Sequence, residues 1–140
     1  MTSNIDRLHL LAALSYATLG LVLGIYMAAS HDHGQAVAHA HLLLVGFLLS
    51  FVYAVIGRLW LRGRPRLLSG LQFAGHHLGV LGLVGGLMLL YGGKASQGAL
   101  EPVLAAASIL LLVCLVLMSV MVFQAGSNRR APGQGELIID

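Results

Sequence analysis

Charge is scarce in this chain. Asp, Glu, Lys and Arg make up 9% of its 140 residues, against about a quarter in a soluble domain. Hydrophobic residues fill the gap at 58%, and the mean hydropathy is +0.88. This composition excludes an ordinary water-soluble domain and points to a membrane protein. The length suits one compact domain, not two. Cysteine is nearly absent as well. The single Cys114 excludes an internal disulfide and any metal site built from cysteine alone. Inside its apolar run it reads as a small packing residue. No membrane-embedded carboxylate is available, and no Ser/Asp/His set is present. A nucleophilic or acid–base centre therefore has no support, since Glu101 stands at a helix end. A clean leader is lacking too. In "MTSNIDRLHLLAALSY" no basic leader or cleavage box appears, and the apolar run continues to Ala29, so it reads as a retained helix.

The formal charge is +3 and the pI near 9.5. Nucleic acid is not the implied partner, because the basic residues stand at the ends of apolar runs, as membrane topology requires. Four runs are long enough for the roughly 20 helical residues that a hydrocarbon core needs. They cover about 8–29, 37–61, 67–91 and 102–124. Pro102 is expected in the first turn of its helix, where the missing N–H is harmless, with Glu101 beside it at the N-terminus. The segment "RGRPR", residues 62–66, reads as a tight hairpin. Arg58, Arg62, Arg64 and Arg66 crowd there, and Arg129 and Arg130 follow the fourth run. The loops "SHDHGQ" and "GGKASQGALE" hold one Lys between them. The positive-inside rule then places both termini and the Arg hairpin in the cytoplasm. The expected fold is an all-α membrane protein. Residues 1–124 form four transmembrane helices in an antiparallel bundle, and 125–140 form a polar cytoplasmic tail. The setting this implies is a bacterial cytoplasmic membrane.

Glycine, by contrast, is plentiful, with 18 residues. Gly20 and Gly24 make one small-xxx-small step. Gly75, Gly79, Gly82 and Gly86 fall on one helical stripe. Tight helix packing is the favoured reading. A flat glycine face also receives a planar cofactor, and the two uses are compatible.

Histidine is the chemically informative residue. A histidine within a span is a functional hypothesis by default, because it must find a partner away from water. "AVAHAHLLLVGF", residues 36–47, places His39 and His41 about 200° apart around a regular helix. His39 then shares a small, polar face with Gly46, Ser50, Tyr53 and Gly57. His41 shares an aliphatic face with Val45, Leu48 and Val52. The two serve sites on opposite sides of the helix rather than one metal. "QFAGHHLGVLGLVGG" carries His76 and His77. Gln72, one turn before His76, is placed to orient its ring. His77 points elsewhere, and for it a hydrogen bond to a neighbouring helix is at least as good a reading as ligation. His31 and His33 flank Asp32 in a loop and make a loose zinc or copper set at best. His9 reads as an interfacial residue. Counted from the Arg hairpin, His41 lies ten residues farther along its helix than His76 does along its own. At ~1.5 Å per residue the gap is roughly 15 Å, so the two pairs serve different sites. With no thiolate and no carboxylate present, imidazole suits haem iron or copper. Two histidines among glycines and aliphatic residues fit haem b, with His39, His41 and His76 as candidate iron ligands. His77, Gln72, Gly46, Gly75 and Gly79 would line the cofactor.

"HAHLLLVGFLLSFVYAVIGRLW" resembles the second helix of the catalytic subunit of haem-copper oxidases and nitric-oxide reductases. There a histidine near the outer surface binds the low-spin haem. "GHHLGVLGLVGG" is similar to another helix of that superfamily, which carries a His-Asn pair before a glycine-containing apolar run. The likeness covers the second and third spans. It implies that His39 or His41 matches the haem ligand, and that His76 matches the histidine of the His-Asn pair, with His77 in place of the asparagine. No counterpart of the full copper-ligand set or of the oxygen-reducing tyrosine is found. The implied role is a b-type cytochrome-like protein for electron transfer or diatomic gas binding. If it is an enzyme, it is an oxidoreductase related to that superfamily. The large subunit is built from three four-helix arcs, which implies that a single arc assembles as a homo-oligomer, a trimer or a dimer. His39 of one copy and His41 of the next, only ~3 Å apart in rise, would share a haem at each interface. Membrane lipid and a redox partner protein or quinone are the expected partners. The alternatives are a copper- or zinc-handling membrane protein, and a cofactor-free accessory subunit.

Overall fold

The computed structural model describes residues 4–61 and 66–128. Its elements are helices: α1 (Asn4–Ser30), α2 (Ala36–Leu59), α3 (Arg66–Tyr91) and α4 (Gln97–Asn128). All four are long and apolar enough to cross a membrane, which marks a multi-pass membrane protein. Most of the Arg hairpin, and the tail beyond 128, lie outside the described residues.

The expected spans correspond one to one with these helices, and the ends differ for local reasons. α1 begins at Asn4 rather than near Leu8. The polar residues Asn4 and Asp6 extend it, and Asp6 suits a first turn because the helix dipole favours negative charge there. α4 begins at Gln97, not at Pro102. The Ser96 carbonyl accepts from Ala99 N and Leu100 N, both at 3.2 Å, and so starts the helix early. Pro102 thus sits inside the helix rather than in its first turn. It removes the bond to the carbonyl of Gly98, and Gly98 is exposed, so that carbonyl stays open to water. Between α1 and α2, His31 closes the first helix with φ 56°, the left-handed conformation that commonly ends helices. Asp32 Oδ1 then accepts from Gly34 N at 2.8 Å and fixes the turn.

α2 is not uniform. It is α-helical over Ala36–His41, winds as a π-helix over Leu42–Leu48, and returns to α over Leu49–Leu59. Its buried positions include Ala38, Leu42, Gly46, Ser50 and Ala54. A strict four-residue repeat drifts by about 40° per step on a 3.6-residue helix. The wider winding, with its i→i+5 bonds, keeps that repeat facing the interior.

α1 packs mainly on α2, α3 mainly on α4, and α2 lies against α3. Glycines set both close contacts. On α3 a Cβ at Gly75 would lie 2.7 Å from Cys114 Sγ, and one at Gly79 2.7 Å from Leu111 Cγ. Real carbons do not approach so closely, so α4 can seat itself only on a bare backbone. Cys114 is buried in this contact, the packing role its sequence setting indicates. The shared core runs through Tyr16, Ala38, Leu42, Val80, Leu83, Val84, Leu87, Ala107 and Leu111.

Candidate functional site

The histidines of the spans fall into two groups. The first is buried where α1, α2 and α3 meet. His9 Nε2 lies 3.0 Å from Gln72 Oε1. An amide oxygen only accepts, so this ring nitrogen donates. Ser50 Oγ lies 2.9 Å from His76 Nε2, and Tyr16 OH lies 3.1 Å from His77 Nδ1. The rings are stacked edge on. His76 is 4.9 Å from Tyr53 and 5.0 Å from His77, and His77 is 4.3 Å from Phe73, centroid to centroid. His9, Ser50, Tyr53, Gln72 and His76 are all at most 1% exposed.

This arrangement corrects three expectations. His9 is no interfacial residue. It belongs to the buried stripe His9, Ala13, Tyr16 and Gly20 of α1, which faces α2 and α3. Gln72 does not orient His76, because its oxygen is taken by His9 and His76 is held by Ser50. His76 is enclosed, so an iron could reach it only if the helices parted. For His77 the helix–helix hydrogen bond is the arrangement present.

The second group is at the start of α2. His39 Nδ1 lies 3.0 Å from the Gly20 carbonyl of α1. His41 Nδ1 lies 2.8 Å from the Val37 carbonyl of its own helix. Carbonyl oxygens only accept, so in both rings Nδ1 carries the hydrogen and Nε2 carries the lone pair. Among the described residues neither Nε2 has a hydrogen-bond partner, and both rings are part-exposed. Gly24 makes room for the first ring: a Cβ there would lie 3.1 Å from His39 Cε1. His39 therefore aims at α1, while His41 stays on its own helix. The two groups are well separated. His76 is level with Ser50, nine residues past His41 in α2, which is on the order of 13 Å of helix.

The remaining candidates are elsewhere. His31 and His33 are exposed in the loop. Among the described residues no group of three His, Cys, Asp or Glu is arranged to hold a metal ion. The glycines offered for a cofactor are covered: Tyr16 lies on Gly46, Cys114 on Gly75 and Leu111 on Gly79. Helix packing accounts for them, and it leaves no open glycine face at these positions. Sequence reasoning missed Tyr16 and the membership of His9. The helical spacing of His9, Ala13, Tyr16 and Gly20 was the available signal.

Compared with protein-family models, curated proteins and solved structures, the chain matches none.

Proposed function

We propose that this chain is a haem-binding membrane protein of the b type, whose iron His39 and His41 would hold. One observation carries the reading. Both imidazoles commit Nδ1–H to a backbone carbonyl and leave Nε2 as a free lone pair. That is the state a metal-ligating histidine adopts, with the second hydrogen bond fixing tautomer and ring direction and raising the basicity of the donor nitrogen. Two imidazoles would suffice to hold haem iron, whereas a zinc site takes three or four protein ligands. Bound haem supplies one-electron iron redox or a seat for a diatomic gas.

The chain's own part is to hold and shield. The Gly20 carbonyl locks the first ring, and Gly24 gives it room. Leu44 and Leu48, exposed farther along the same helix, would supply an apolar surround. The two histidines diverge around the helix, so a single copy does not bring both to one iron. The proposal is therefore a homo-oligomer in which His39 of one copy and His41 of the next meet across an interface. Antiparallel spans, with both termini on the cytoplasmic side of a bacterial inner membrane, complete the reading. The Arg-rich ends support that orientation. Electron transfer, rather than oxygen reduction, fits the lack of a three-ligand metal group among the described residues.

The test is the visible spectrum of purified protein, oxidised and dithionite-reduced. A Soret band with sharp reduced α-bands is expected. A colourless protein carrying stoichiometric copper or zinc would replace haem with the metal-handling reading. A colourless, metal-free protein would leave an accessory subunit.

A further inference from the structure

The buried cluster between α1, α2 and α3 has more hydrogen-bonding capacity than its own side chains use. Four buried polar atoms have no partner: Gln72 Nε2, Tyr53 OH, His76 Nδ1 and His77 Nε2. Gln72, Tyr53 and His76 are each at most 1% exposed. Orphaned polar atoms are rare in folded proteins, and each costs free energy. Here four occur on side chains packed together. Tyr53 and His76 are 4.9 Å apart and His76 and His77 5.0 Å apart between ring centroids. His9 stands 5.1 Å from His77 and donates to Gln72.

A metal is not the ligand proposed for this set, since among the described residues no three His, Cys, Asp or Glu are arranged to hold one. An apolar molecule would leave all four atoms unpaired. The chemistry that satisfies an amide N–H, a phenol and two imidazole nitrogens together is water, which bridges two to four polar partners in such sites.

We propose that this cluster is a hydrated, proton-exchanging site in the interior of the bundle. It binds water molecules that bridge Gln72, Tyr53, His76 and His77. Each imidazole can accept a hydrogen bond on one nitrogen and donate from the other. Waters in contact with such rings exchange protons with them. The end of the bundle nearest the cluster is the one where α1 begins. Asp6 is one turn before His9 on the same side of the helix, and Asn4 there is exposed. The proposal does not depend on haem, and the cluster is remote from His39 and His41.

The experiment uses full-length protein with 15N-labelled histidine, reconstituted in lipid bilayers. Water-edited solid-state NMR detects rings that touch water, with His31 and His33 as exposed references. His76→Gln and His77→Gln assign the signals. The ring nitrogens of His76 and His77 are expected to receive polarisation from water, and their N–H groups to exchange in D2O. Rings that stay dark and unexchanged while His31 and His33 respond would overturn the proposal. A second measurement is the thermal midpoint of Tyr53→Phe. In a hydrated site the phenol has a partner to lose, so the midpoint is unchanged or lower. A raised midpoint would mean a dry, unpaired hydroxyl was removed, and would also overturn the proposal.

Discussion

At the scale of single residues, a histidine's role is set by what its two nitrogens meet. His39 and His41 each give Nδ1–H to a carbonyl, while His76 and His77 meet hydroxyls, which can donate or accept. Only the first pair therefore has a fixed tautomer with a free lone pair. Gly24 is part of that arrangement. In Gly24→Val the added carbons would crowd His39 Cε1, already 3.1 Å from where a Cβ would stand. The expected outcome is loss of the His39–Gly20 bond, read as a change in the 15N shifts of the His39 ring. Gln72 makes a separate prediction. Gln72→Leu removes the acceptor of His9 Nε2 in a fully buried place. It is expected to lower stability by about 1–3 kcal/mol, measured by denaturant titration in detergent. The opposite directions of His39 and His41 were legible from their spacing. The buried place of His9 was not, because a histidine near the start of an apolar run suits an interface equally well until its stripe with Ala13 and Tyr16 is followed.

At the scale of helices, the bare faces of α3 decide the packing. Gly79→Leu would drive carbons into Leu111 and is expected to cost about 1–3 kcal/mol of overpacking, with partial recovery in the double variant Gly79→Leu/Leu111→Ala. Gly85 is the control: a Cβ there meets nothing within 4 Å. Gly85→Ala is expected to be neutral or to gain up to about 1 kcal/mol from helix propensity. Unfolding midpoints of the three variants check both statements. The glycine stripe was readable as a contact, since its four-three-four spacing puts the bare positions on one helix face. The π-wound segment of α2 was not readable. A 3.6-residue period puts His39 on one face with Ser50 and Tyr53. In the structure His39 meets Gly20 of α1, whereas Ser50 and Tyr53 meet His76 of α3. The widened turns lie between them, and Tyr53 still reaches His9 of α1. Their trace in the sequence is a row of mostly small residues at steps of four, from Ala38 to Ala54. Hydropathy also misjudged where α4 begins, because it does not register the capping by Ser96.

At the scale of the whole molecule, the class was legible because apolar run length alone separates spans from loops. Orientation rests on the Arg-rich ends and has its own test. In a Cys114→Ala background, Ser96→Cys is expected to react with a membrane-impermeant maleimide added outside intact cells, and Arg58→Cys to react only after permeabilisation. The reverse pattern would invert the topology. The proposed assembly rests on the histidines, since one helix carrying two diverging candidate ligands would need further copies to complete a site. The most direct measurement is the haem content per chain of His39→Ala and His41→Ala beside the unaltered protein, each purified in the same detergent. The account predicts haem in the unaltered protein and a loss of at least half of it in each variant. Full haem stoichiometry retained in both variants would contradict it.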